Sequence, residues 1–213
     1  MQDINFAQIL IAFVVLVFSL TVHESAHAWA ARRLGDPTGW RLGRVSLNPA
    51  VHIDLVGTLL FPLIAMVTHL PIIGWARPVP VDARYLRNPR RDFLVIAAAG
   101  PLSNLVLAIA AAAALRVVPA GPQSIGQLGV AAPLALVASR ALEINLLLAI
   151  FNMLPVPPLD GSSVVAGLLP ERLASGLDWL RPYGFLVLYG LMLTGTLGYL
   201  VGPPFMWMLS WLL

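Results

Sequence analysis

The chain has 213 residues, 59% of them hydrophobic and 11% charged, against roughly 45–50% apolar and about 25% charged in an ordinary soluble domain. With no cysteine, disulfide frameworks and thiolate metal sites are excluded, and so is a disordered chain, which would be poor in apolar residues. The net charge is +3, but all thirteen basic residues are arginines that flank apolar runs. That placement reads as membrane topology, with no nucleic-acid partner.

A helix needs about 20 largely apolar residues to cross a bilayer. Residues 4–31, 93–118, 132–154 and 183–213 meet this, and 51–73 is a further apolar stretch broken by Pro62. The expected fold is therefore all-α and polytopic: a single membrane-embedded domain over 1–213 with about four to six transmembrane helices, a re-entrant segment and short membrane-associated β-strands. The first stretch is too long for a signal-peptide core, lacks a basic start and has no small-residue cleavage site, so it is expected to stay in the mature protein.

In chain order, the first helix is expected over about 5–34, stopped by Gly35, Asp36 and Pro37. Residues 40–48 alternate in polarity, which predicts a strand or hairpin. Pro78 and Pro80 forbid helix and predict an extended run over 77–84. Between them, 51–73 is predicted to be a re-entrant hairpin or broken helix that turns near Pro62, with both flanks cytoplasmic and the N-terminus outside. If it is, every arginine except Arg116 and Arg140 falls on one face, as the positive-inside rule favours. Core helices are expected at 93–118, where Gly100, Pro101 and Asn104 lie among small residues, and at 132–154, where Asn145 and Asn152 are seven residues apart on one face. The second of these ends in a proline-rich run, Pro155, Pro157 and Pro158, just before Asp160. One helix or two are expected over 183–213.

The chemistry lies in His23-Glu24-Ser25-Ala26-His27. On a helix, residues i and i+4 share a face, so two imidazoles can grip one zinc while the glutamate beside them acts as a base. Ionisable groups at that depth in a membrane are costly unless functional. A catalytic zinc takes three protein ligands and an open position. The candidates for the third are Asp160, Glu143, Asp54, His52 and His69. Glu143 follows Arg140 by three residues, which suits an ion pair; His52, Asp54 and His69 border the re-entrant stretch and suit caps or interfacial contacts. Asp160 follows irregular backbone, tolerated at membrane depth only where it is buried in protein or lines a cavity, and is taken as the ligand. Sharing one zinc requires an even number of crossings between His27 and Asp160, a second argument against 51–73 spanning.

HESAH at 23–27, GPLSN at 100–104 and NMLPVPPLDG at 152–161 together resemble the site-2 protease family of intramembrane zinc metalloproteases. The stretches NPAVHIDLVGTLLFP and GWARPVPVDARYLRNPRRD are similar to those of its small prokaryotic branch, which has no PDZ or regulatory domain. The resemblance implies one zinc per chain on His23, His27 and Asp160, Glu24 as the base, and Asn152 placing the substrate backbone, with Asn104 and Asn145 as further candidates for substrate binding. It also implies transmembrane protein substrates, contact with the lipid bilayer, and a multi-pass location in a prokaryotic cell membrane with the active site toward the cytoplasm. The competing readings are a membrane-anchored zincin that degrades soluble or misfolded proteins, using Glu143 as third ligand, and a non-enzymatic transporter or scaffold.

Overall fold

The computed structural model describes residues 6–68, 73–117 and 131–213. Three helices are long and apolar enough to cross a membrane: α1 (Phe6–Arg33), α4 (Pro89–Val117) and α5 (Ala131–Asn152). Each is an apolar run with few internal breakers, and each ends where breakers begin, α1 at Gly35 and Pro37 and α5 before Pro155. On α1, Val15, Ser19, His23 and His27 are all buried. Their spacing of four puts them on one stripe, which faces α4. His27 meets Ile96, and His23 and Ser19 meet Asn104, so α1 and α4 run antiparallel. α5 packs on α4 through Leu142 and Leu146 against Ala108, Ala111 and Ala112; alanines let the helix backbones approach closely.

Between α1 and α4 the chain makes a short helix α2 (Thr38–Arg41), then a π-helical turn, Leu55–Leu60, that runs into α3 (Phe61–Thr68). The two flanks of this apolar segment lie side by side. Trp75 N donates to Gly57 O (3.0 Å), Thr58 Oγ1 to Trp75 O (2.8 Å) and Arg77 N to His52 O (2.9 Å). Asp36, wholly buried, accepts from Thr38 N and Thr38 Oγ1 with one oxygen and from Asp82 N with the other. The end of α1 is thereby tied to the chain that leads into α4.

Two sequence expectations are corrected here. No β-strand occurs among the described residues. The alternating stretch 40–48 holds the end of α2 and irregular turns, with Trp40 and Leu42 exposed; alternation makes a strand only where a partner supplies the ladder. Residues 77–82 are not helical, as the prolines require, but they pair with no other strand. The turn expected at Pro62 is absent as well, because Pro62 sits in the first turn of α3, where its missing N–H costs little. Residues 69–72, including His69, lie outside the described residues.

After α5 come α6 (Asp160–Leu168) and α7 (Glu171–Leu180), then α8 (Gly184–Leu193) and α9 (Thr196–Leu212). Gly195, at φ +74°, makes the left-handed turn between the last two. Residues 171–193 and 196–212 are bent by 78° at that break. The described residues thus hold three candidate spans, or four if the bent C-terminal pair is one.

Candidate metal centre

His23 Nδ1 lies 2.6 Å from Asn104 Oδ1 and His27 Nδ1 lies 2.7 Å from the carbonyl of Ile96. Both partners are oxygen acceptors, so both rings carry their proton on Nδ1 and present a lone pair at Nε2. The two Nε2 atoms face each other at 3.0 Å, and Asp160 Oδ2 lies 3.1 Å from one and 3.4 Å from the other. His23 and His27 are buried, and Asp160 Oδ2 has no hydrogen-bond donor. Three lone pairs converging without a donor repel unless a metal ion or a proton lies between them, and the three donor atoms are close enough together to hold one metal ion.

The donor set fits zinc. Bonds of about 2.0–2.2 Å to a tetrahedral ion put neighbouring donors roughly 3.3–3.6 Å apart, close to the separations found. Each imidazole also gives its second nitrogen to an oxygen, the outer contact that metal-binding histidines make.

The fold brings this set together from three elements. α1 supplies the histidines, α4 supplies the oxygens that orient them, and Asp160 is the first residue of α6. Gly100 on α4 leaves room for the rings, since a Cβ there would overlap His27 Nε2 and stand 2.6 Å from His23 Cε1. The small residues around Gly100 suit close packing of helices; at Gly100 itself the close neighbours are the two imidazoles.

The centre opens into a cavity of about 850 Å³ lined by Glu24, Asn152, Phe61, Trp75 and Phe185 among others. Glu24 is half-buried, and no described residue hydrogen-bonds its carboxylate. Asn152 Nδ2 donates to Leu148 O (3.0 Å), and the residue lines the cavity. The aromatic wall was not singled out in the sequence. Trp75 packs edge-on against Phe61 and Phe185 at centroid distances of 5.4 and 5.8 Å, and Gly57 is the one residue type its indole tolerates underneath.

Other sequence candidates lie elsewhere. Glu143 accepts from Arg140 Nη1 at 2.8 Å, Asp54 caps the π-helical turn through Val56 N and Gly57 N, and His52 Nε2 donates to Ser46 O. Asn104 and Asn145 are 0% and 2% exposed, are bonded to each other across α4 and α5, and do not line the cavity. The expectation that these two asparagines touch substrate is corrected: their amides are occupied between helices.

Two imidazoles and a carboxylate converging beside an unpaired glutamate, inside a bundle of membrane-length helices, define a membrane-embedded metallohydrolase. Residues 11–127 match peptidase family M50. YwhC of Bacillus subtilis, named as a candidate zinc metalloprotease, is 35% identical over 191 residues, covering 89% of this chain and 83% of that protein. Rip2 of Mycolicibacterium smegmatis, named in the same way, is 29% identical over 184 residues, or 85% of this chain and 66% of its own. No solved structure matches significantly. The chain belongs to peptidase family M50, the site-2 protease family, and is a multi-pass membrane metalloendopeptidase of that type.

Proposed function

We propose that the protein hydrolyses peptide bonds within or beside the transmembrane segments of other membrane proteins, with one zinc per chain on His23, His27 and Asp160 and Glu24 as general base. The observation that carries this is the convergence of three donor atoms within 3.0–3.4 Å of one another at the wall of a cavity that also holds an unpaired carboxylate.

Zinc, when bound, lowers the pKa of a coordinated water and polarises the carbonyl of the bond to be cut. Glu24 takes the proton of the attacking water and gives it to the leaving amine nitrogen, so one carboxylate serves both halves of the reaction. His23, His27 and Asp160 would hold the ion through Nε2, Nε2 and a carboxylate oxygen. Asn152 offers an amide donor to the substrate backbone. The mostly apolar wall, with Phe61, Trp75 and Phe185, excludes bulk water and suits an apolar substrate segment.

A helical substrate must unwind to expose a peptide bond. Residues 73–81 contribute much of the cavity lining, are extended around Pro78 and Pro80, and have no strand partner among the described residues. They support β-pairing of an unwound substrate segment at this edge.

Arg32 and Arg33, and Arg77 through Arg91, lie at the end of the bundle that holds the centre, whereas Arg116 ends α4 at the opposite end. Arginine bias supports a cytoplasmic active site in a prokaryotic cell membrane. The hydrogen bonds joining Gly57 to Trp75 and His52 to Arg77 support a re-entrant 51–73, entering and leaving on that same face.

Metal analysis of the purified protein tests the site. About one zinc per chain is expected in wild type and in Glu143→Ala, and none in Asp160→Ala. Zinc lost from Glu143→Ala and kept by Asp160→Ala would move the third-ligand role to Glu143.

A further inference from the structure

Among the buried polar groups outside the proposed chemistry, Asn104 and Asn145 form a chain of bonds with a single direction. Asn145 Nδ2 donates to Ala141 O on its own helix (2.8 Å), which points Asn145 Oδ1 at α4. Asn104 Nδ2 donates to that oxygen (2.8 Å) and to Ser19 O on α1 (3.3 Å). With two oxygens on its amine side, the Asn104 amide cannot flip without setting oxygen against oxygen, so Asn104 Oδ1 faces His23 Nδ1 at 2.6 Å. An amide oxygen only accepts. In the neutral, metal-binding form of His23 the proton must therefore sit on Nδ1, with the Nε2 lone pair on the side of His27 Nε2 and Asp160 Oδ2.

We infer that Asn145, acting through Asn104, decides which nitrogen of His23 is protonated, and that both asparagines are positioning residues for the metal centre. The inference rests on the zinc reading above. His27 needs no such relay, because its Nδ1 partner is the backbone carbonyl of Ile96, which has one polarity whatever surrounds it. His23 depends on two side chains that could each be turned around. Exposures of 4%, 0% and 2% for His23, Asn104 and Asn145 leave no water to substitute for a lost partner. If Asn104 turned, its amine would face Nδ1, the proton would move to Nε2, and an Nε2–H would point where a ligand lone pair is needed.

The test is a zinc competition titration against a chromogenic chelator on the full chain in detergent, with ¹⁵N shifts of His23 recorded on the zinc-free protein. Asn145→Leu removes the nearer of the two oxygens that orient Asn104, leaving only Ser19 O at 3.3 Å, and is expected to weaken zinc binding by about 10-fold or more, the usual cost of losing an outer partner of a ligating histidine. Asn145→Asp, buried and protonated so that its O–H replaces the donor to Ala141 O, keeps an oxygen for Asn104 Nδ2 and is expected to stay within about threefold of wild type, well short of that loss. The wild-type shifts should report the proton on Nδ1, and those of Asn145→Leu a population with it on Nε2. Equal affinity in wild type and Asn145→Leu, equal weakening in →Leu and →Asp, or a wild-type proton on Nε2 would each overturn the relay. A wild-type proton on Nε2 would overturn the relay even if Asn145→Leu does not fold. Equal zinc binding by wild type and His23→Ala would instead sink the zinc site itself, and the relay with it.

Discussion

Gly100→Ala perturbs the centre by a single methyl group on a helix that otherwise welcomes it. A Cβ at that position would stand 2.5 Å from His27 Cε1 and 2.6 Å from His23 Cε1, where ordinary contact begins at 3.4 Å. The rings must retreat by roughly 0.8 Å, several times the tolerance of about 0.2 Å in a metal–ligand distance. They are not free to do so, since His23 Nδ1 is held by Asn104 and His27 Nδ1 by Ile96, both on the helix that carries the new methyl. Overpacking of this kind costs about 1–3 kcal/mol, which is roughly 5- to 150-fold in zinc affinity. Misplacement on the ångström scale costs a further factor of about 10² in turnover. Gly198→Ala on α9, where a Cβ meets nothing within 4 Å, is the matched control and should change neither quantity. The assays are chelator competition for zinc and cleavage of a transmembrane reporter in proteoliposomes. A Gly100→Ala protein that matches wild type in both would refute the packing of the imidazoles on α4.

Three other outcomes are expected. Glu24→Gln should retain zinc while losing about 10²–10⁴-fold in cleavage rate; an active variant would remove Glu24 from the base role. Asp36→Ala strips three donors, Thr38 N, Thr38 Oγ1 and Asp82 N, of a wholly buried acceptor. It should lower stability by roughly 3 kcal/mol, read as a fall in the thermal midpoint, and an unchanged midpoint would contradict the bonding described. Single cysteines at Ala83, Ser175 and Val117 of this cysteine-free chain report topology. An impermeant thiol reagent on intact cells should label Val117→Cys alone, and labelling of Ala83→Cys from outside would mean that 51–73 crosses.

The grouping of the site's chemistry was legible because much of it is local. The spacing of His23 and His27 is a helical turn within one apolar run, and Asp160 stands out as a carboxylate just after a proline-broken helix end. The three longest helices coincide with the apolar stretches because bilayer length and hydropathy leave little choice. What was not legible depends on which surfaces meet. Asn104 and Asn145 read as amides on helical faces, and only the contact of α4 with α5 turns them toward each other and away from the cavity. Alternating polarity over 40–48 suggested a strand, yet no strand pairs with it among the described residues. The nine residues of α6 are too few and too mixed to announce a helix, which takes shape against α4, where Arg90 Nε reaches Ala166 O. Trp75 gained its place in the cavity wall from Gly57 and Phe185, residues far from it in sequence.

Mass spectrometry of the products formed from a purified single-span membrane protein, co-reconstituted in liposomes with this protein alone, tests the central claim most directly. The account predicts a scissile bond inside or at the edge of the substrate's apolar span, cleavage that stops on zinc chelation and returns with added zinc, and a rate about 10²–10⁴-fold lower with Glu24→Gln. Cleavage confined to soluble segments, or indifferent to zinc, would contradict it.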